Sequence, residues 1–271
     1  MSDFRKTATH FRFGENWKNY SSLIDEERLR LAEDGLLKLL PRETLRDTTF
    51  LDIGCGSGIH VVAALKNGVK NAYAIDIDPD SVQTTQTLVE KLQLADVCKV
   101  ACLSVFDLDK NKHGQFDIVY SWGVLHHTGA MIQAFEHAAE IVKPGGLLVI
   151  AIYRKTRSCW FWKMEKRVYS CSPGWFQALL RVPYKAALFF RLMLKGQNPI
   201  RYVREYKNNR GMSFHHDVHD WMGGYPYESA SPDKVYDCFE NLDFELVNEF
   251  TSPQTWGIFG SGCDEYVFRK Q

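Results

Sequence analysis

Three things are scarce in this 271-residue chain: paired cysteines, net charge and long apolar runs. The seven cysteines (55, 98, 102, 159, 171, 238 and 263) form no Cys-x-x-Cys pair and no zinc-like spacing. Their odd number argues against a disulfide framework, so reduced thiols and a cytoplasmic setting are expected. The apolar stretches, of which 147–153 is typical, fall far short of the roughly 20 residues that cross a bilayer, and the opening MSDFRKTATHFRF is too polar for a secretory leader. A soluble protein without a transmembrane segment is expected. Lys plus Arg equal Asp plus Glu at 33 each, which excludes a uniformly basic nucleic-acid binder. What is present, 45% hydrophobic and 24% charged residues, suits one α/β domain with an elaboration, or at most two small domains.

The neutrality hides an asymmetry. Between Tyr153 and Gly211 stand fourteen Lys or Arg and only two acids, Glu165 and Glu205, so the remainder of the chain is correspondingly acidic. A basic stretch of this kind is read either as a solvated lid or as a contact for an anionic surface or phosphorylated ligand.

The order of elements follows from the hydrophobic periods. Residues 1–24 are aromatic and polar without a period and read as an arm; 25–40 has leucines at helical spacing, an acidic first turn and Pro41 as terminator. Short β-like runs at 48–53, 71–75, 97–103, 116–121 and 147–153 alternate with helix-like segments near 58–67, 80–92 and 130–142. Nearly continuous apolar strands in such alternation predict a parallel sheet covered on both faces. Helices are predicted near 158–170, 182–195 and 199–208, then a helix near 232–240 and two late strands, 244–250 and 264–269, as an antiparallel hairpin at one side of the sheet.

The strongest chemical signal is Leu51-Asp52-Ile53-Gly54-Cys55-Gly56-Ser57-Gly58, at a strand end and opening a helix. Its glycines allow a sharp turn and close approach of a ligand to the backbone, at the strand ends where α/β sheets bind ligands. The dinucleotide fingerprint would want its third glycine where Ile59 stands, and a pyrophosphate would not favour Asp52 so near. One strand later, Ala74-Ile75-Asp76-Ile77-Asp78 offers a carboxylate, Asp76, for both hydroxyls of a ribose and an apolar neighbour, Ile77, for a purine face. Asp78-Pro79 reads as a helix cap.

At these residues the sequence resembles the class I S-adenosylmethionine-dependent methyltransferases. The likeness continues through Phe116-Asp117-Ile118-Val119-Tyr120-Ser121-Trp122-Gly123-Val124-Leu125-His126-His127 and Val142-Lys143-Pro144-Gly145-Gly146, and covers residues 48–153. It is similar to the branch that includes the ubiquinone-type methylases, and FRFGENWKNY and RGMSFHHDVHDWMGGYPYE resemble the tails of an uncharacterised bacterial branch. The resemblance implies a Rossmann-like α/β fold: a seven-stranded mixed sheet of order 3-2-1-4-5-7-6, helices on both faces and a helical insertion after strand five. It implies S-adenosyl-L-methionine as cofactor, held by Asp52, Gly54, Cys55, Gly56 and Gly58 at the methionine end. Asp76 and Ile77 would take the ribose and adenine, Ser104 and Val105 would flank the adenine, and Ser121, Trp122 and Gly123 would lie under the sulfonium. The corresponding division is 1–45 arm and cover helix, 46–153 cofactor core, 154–230 basic insertion and acceptor segment, and 231–271 completion of the sheet.

The acceptor is harder to read, because a sulfonium is an activated donor and asks the protein for positioning and proton removal only. Ser121-Trp122-Gly123-Val124 stands where amino-directed DNA methylases carry an Asn-Pro-Pro-Tyr type signature, which argues against amino-directed DNA methylation; a small-molecule acceptor is expected rather than nucleic acid. His126 and His127 are candidate bases, or else shape their loop. His215 and His219 have a metal-like i, i+4 spacing, but the flanking glycines put a local helix in question and no metal is expected. Asp217 and Asp220 are expected to orient an acceptor hydroxyl or a histidine, with Trp221, Tyr225 and Tyr227 as a ring-binding wall; Trp17 and Tyr20 are further substrate-binding candidates. On a helix from Val182, Arg181, Lys185, Arg191 and Lys195 share one face. The expected reaction is methylation of a hydroxyl on a sugar, phenol or natural-product-like small molecule. An RNA-modifying enzyme recruited by the basic insertion, and a silent cofactor-binding subunit, are the alternatives. The sequence carries no signal for oligomeric state.

Overall fold

The computed structural model describes residues 25–210 and 214–271, with the backbone alone for 207–210. Helix α1 (Glu26–Leu39) starts where the Asp25 carboxylate accepts the Arg28 N–H at 3.0 Å, has Glu26 and Glu27 in its first turn, and buries Leu29, Leu36 and Leu39. Strand β1 (Thr49–Ile53) follows, then α2 (Ile59–Lys66), β2 (Asn71–Asp76) and α3 (Pro79–Lys91). Asp78 caps α3 by accepting the Asp80 N–H, with proline in the first turn as expected. Next come β3 (Cys98–Cys102), β4 (Phe116–Trp122), α4 (Met131–Glu140) and β5 (Val142–Tyr153).

The sheet order is β3-β2-β1-β4-β5-β7-β6, with β6 (Phe244–Phe250) and β7 (Cys263–Lys270) at its end. The first five strands are parallel, and β7 runs antiparallel to both β5 and β6. Successive strand residues feed opposite faces. Phe50 and Tyr120 join α1, α2 and α3 in one core, while Leu51 and Val119 join α4 and α9 (Pro232–Glu240) in the other. Strand order reverses between β1 and β4, which opens a crevice outside their carboxyl ends.

Between β5 and α9 lie α5 (Cys159–Ser170), α6 (Gly174–Leu194), α7 (Pro199–Arg210) and α8 (Phe214–Gly223). They share a third apolar cluster built on Tyr169, Tyr206, Phe214, Val218 and Met222. Two expectations are corrected here. The helix expected from 182 begins at Gly174 and runs through Pro183, held by an inner stripe of Leu180, Tyr184 and Leu188 on either side of the proline. Residues 214–223 are helical: Phe214, Val218 and Met222 recur every fourth position and are buried, and the doubtful glycines fall at or beyond the ends of the helix. The basic face engages the rest of the chain rather than standing free. Arg181 and Lys185 turn inward, donating to His219 Nδ1 at 2.9 Å and His215 Nδ1 at 3.0 Å, and Arg191 lies over the Phe259 ring.

Candidate active site

The crevice deepens into a cavity of about 1380 Å³, lined from the β1 and β2 ends, the β4 end, the inner face of α6 and the α8 segment. The β1 turn contributes Gly54, Cys55 and Gly56 to its wall. Gly54 has φ +77°, and a Cβ there would come within 2.3–2.9 Å of the Val124 side chain, so only glycine lets the turn pass the loop after β4. Gly58 and Asp52 do not line the cavity and are corrected. A Cβ at Gly58 would meet Thr85 at 2.9 Å, which makes that glycine a contact between α2 and α3. Asp52 is buried behind the turn, and burial, then the nearby Asp76 carboxylate, raise its pKa to about 8.

Asp76 stands at the cavity wall where β2 ends. Its Oδ2 accepts the Gly56 N–H at 3.0 Å and its Oδ1 accepts the Asp78 N–H at 2.9 Å, which fixes the carboxylate and ties the two loops together. Burial raises its pKa to about 6 against these hydrogen bonds, so at neutral pH Asp76 is the ionised member of the pair and Asp52 keeps its proton. Each Asp76 oxygen retains acceptor capacity. Ile77 beside it is 41% exposed, an apolar surface at the rim of the cavity, and Ser104 and Val105 line the same side. A carboxylate poised for a diol, flanked by apolar cover, fits the nucleoside end of S-adenosylmethionine.

At the β4 end, Trp122 and Gly123 reach the cavity, while Ser121 does not. Its hydroxyl donates to the Ile53 carbonyl at 3.1 Å in the fully buried interior, joining β4 to β1. Trp122 Nε1 donates to Glu265 at 2.8 Å.

His126 and His127 follow on a short helical turn. His126 is buried, its ring 4.0 Å from that of Tyr153 and 4.3 Å from that of His127, and burial, His127 and Lys166 together hold its pKa well below the usual range. His127 lines the cavity, and its Nδ1 donates to the Pro226 carbonyl at 2.7 Å. A carbonyl partner assigns a proton to Nδ1. Gly224 lies against this ring, with a hypothetical Cβ 2.6 Å from His127 Cε1.

Asp217, Asp220, Trp221 and Tyr225 are also in the lining of the cavity, Tyr225 in the segment that holds the His127 ring. The Tyr206 hydroxyl donates to Asp217. Trp221 meets Tyr153 edge-on at 5.2 Å and Trp162 at 5.4 Å. Tyr227 is corrected: it is buried outside the lining, with its hydroxyl at 3.1 Å from Ser261 Oγ and 3.3 Å from Cys159 Sγ. Trp17 and Tyr20 lie outside the described residues. The ring nitrogens at 215 and 219 face cations, and among the described residues no group of three or more His, Cys, Asp or Glu side chains is placed to hold a metal.

Residues 24–248 match the family model described as a methyltransferase domain. The chain belongs to that family. Among relatives of this methyltransferase chain, the ribosomal protein L11 methyltransferase of Pasteurella multocida is 34% identical over 112 residues, 41% of this chain and 36% of that one. The tRNA U34 carboxymethyltransferase of Cellvibrio japonicus is 31% identical over 140 residues, 52% and 42% of the two chains. The chain thus spans about two fifths of the length of these curated relatives. The fold is that of the magnesium protoporphyrin IX methyltransferase of Synechocystis PCC 6803 crystallised with S-adenosylmethionine, at a TM-score of 0.54 and 10% identity, over 90% of this chain and 80% of that one. Membership of the methyltransferase-domain family is shown by the family model, and nothing in these findings singles out the ubiquinone-type branch.

Several lining residues escape sequence reasoning. Tyr153 closes the floor between the histidines and Trp221, and its place at the end of β5, on the ligand-binding edge of the sheet, was the available signal. Glu265, which also accepts Lys38 Nζ at 2.9 Å, and the inward residues of α6 have no such signal, because they arrive by tertiary packing.

Proposed function

We propose that this methyltransferase transfers a methyl group from S-adenosyl-L-methionine to a hydroxyl of a small, ring-bearing acceptor. The observation that carries this reading is one continuous cavity. It joins a fixed carboxylate at Asp76 to His127, held by the Pro226 carbonyl, and to a wall of Trp221, Tyr225, Asp217 and Asp220. In this assignment Asp76 takes the ribose hydroxyls, Ile77, Ser104 and Val105 surround the adenine, and Gly54, Cys55 and Gly56 approach the methionine end. Trp122 and Gly123 border the methyl group.

When bound, the sulfonium supplies an activated methyl group for in-line transfer. The chain's own residues do the rest. Trp221 and Tyr225 hold the acceptor ring, Asp217 and Asp220 orient its hydroxyl, and His127 Nε2 receives the hydroxyl proton. His126, held neutral by burial, packs behind it. The division into a cofactor core at 46–153, an acceptor-closing insertion at 154–230 and a sheet-completing end at 231–271 belongs to this reading, as does a cytoplasmic setting for seven cysteines that form no disulfide.

The test is S-adenosylhomocysteine formation on a panel of phenols and sugars, comparing wild type with His127→Ala and Trp221→Ala. Acceptor-dependent product that both variants lose, with cofactor affinity kept, is the expected result. Turnover unaffected by either substitution refutes the placement of the acceptor.

A further inference from the structure

Helix α6 carries two apolar stripes where a surface helix needs one. Leu180, Tyr184 and Leu188 face the insertion core. The second stripe runs through Trp175, Leu179, Val182, Phe190 and Met193, which fall within about 80° of one another at 3.6 residues per turn. It is exposed over the whole helix: 71%, 57%, 62%, 59% and 57% in that order. Helix α5 repeats the pattern, with Trp160, Met164 and Val168 exposed at successive fourth positions and the exposed Lys163 and Arg167 beside them. The loop before β7 adds Trp256 next to α5: the Ser158 hydroxyl donates to its carbonyl at 2.7 Å, and the exposed Arg157 stacks on its ring at 4.6 Å.

An exposed apolar surface of this extent marks a contact face. Charge decides what it contacts. Glu165 is the sole acid in α5 and α6, and both of its carboxylate oxygens are buried. A second copy docked through this face would set two basic surfaces against each other, whereas an anionic bilayer meets both the tryptophans and the cations. Spanning is not the mode: Arg181, Lys185 and Arg191 occupy the inner side of α6, and among the described residues no helix is long and apolar enough to cross a membrane.

We propose that α5 and α6 form a docking surface for an anionic membrane, with α6 lying in the headgroup region and its outer stripe in the acyl boundary. Tyr184, Leu188 and Arg191 on the opposite side of α6 line the cavity, so a single helix, about 10–12 Å across, separates the cavity from lipid. Resting on the methyl-transfer reading above, this makes the acceptor a hydroxyl carried on a lipid or lipid-linked molecule.

Flotation of the full chain with vesicles of phosphatidylcholine, with and without phosphatidylglycerol, tests the surface without reference to turnover. Wild type is expected to float with the anionic vesicles, weakly with the neutral ones, and less as salt rises. The double variant Phe190→Glu/Met193→Glu should lose at least about a hundredfold in vesicle affinity, since two buried apolar side chains leave the lipid. Its circular dichroism and S-adenosylmethionine affinity, read by calorimetry, should match wild type. Failure of wild type to float with anionic vesicles, or unchanged flotation of the variant, overturns the proposal. So does a concentration-dependent dimer of wild type that the variant abolishes, since a second copy then occupies the face. Because cofactor affinity is read separately, loss of the methyl-transfer reading and loss of this one give different results.

Discussion

Replacing Asp76 by Asn keeps the shape of the side chain and removes half of what it does. The carboxylate accepts two backbone N–H groups, from Gly56 and Asp78, and has acceptor capacity left on both oxygens for a ribose diol. Asparagine has one acceptor oxygen, so its amide nitrogen must face either a backbone donor or a ribose hydroxyl. Losing one charge-assisted hydrogen bond and weakening the other costs about 2–4 kcal/mol, which is about 30- to 900-fold in affinity. The same carboxylate predicts the pH dependence. Its pKa in the free protein is raised to about 6, and the ionised form is the one that binds. Affinity is therefore constant well above pH 6 and falls by up to about tenfold per unit below it, and the Asn variant lacks this slope. Isothermal titration with S-adenosylmethionine across this range, on protein whose circular dichroism is native, measures both effects. An Asp76→Asn variant within about threefold of wild type at high pH, or a wild-type affinity that rises on acidification, refutes the reasoning.

His127→Ala should lower turnover about 10²- to 10⁴-fold while cofactor affinity stays within a factor of about two, as expected of a general base remote from the nucleoside. Gly224→Ala should mimic it, because the added methyl would sit 2.6 Å from His127 Cε1 and push the ring off the Pro226 carbonyl; turnover and cofactor titration check this. Asp52 binds a proton more tightly folded than unfolded, from an ordinary value of 3.8 up to about 8. Its contribution to stability is therefore present at low pH and lost as pH rises through that window, and Asp52→Asn should flatten the fall in melting temperature between about pH 4 and about pH 8.

How much of this was legible in the sequence depends on where each residue gets its partners. Gly54, Cys55, Gly56, Asp76 and Ile77 are set by one strand end and the turn after it, so local pattern placed them at the cavity. The sheet order came with the family resemblance that these motifs carry. Asp52, Gly58 and Ser121 sit in the same motifs, but a one-residue shift along a strand or turn moves a side chain to the other face, and these three serve the interior. Tyr227 is held in the interior by Ser261 and Cys159, partners that come from distant parts of the chain. The insertion was the least legible part. Its periodicity correctly showed amphipathic helices, but an angular plot cannot say which stripe faces in. Arg181 and Lys185 go inward only because Tyr169, His215 and His219 arrive from α5 and α8 to receive them.

The central claim, methyl transfer to a small acceptor in the cavity between His127 and Trp221, is tested most directly by following a labelled methyl group. The chain is incubated with methyl-labelled S-adenosylmethionine and a cell extract separated into RNA, protein, water-soluble small molecules and lipids. Label is expected in the small-molecule or lipid fraction, and it should be lost with His127→Ala. Label confined to RNA or protein, or label in any fraction that persists undiminished in His127→Ala, would contradict it.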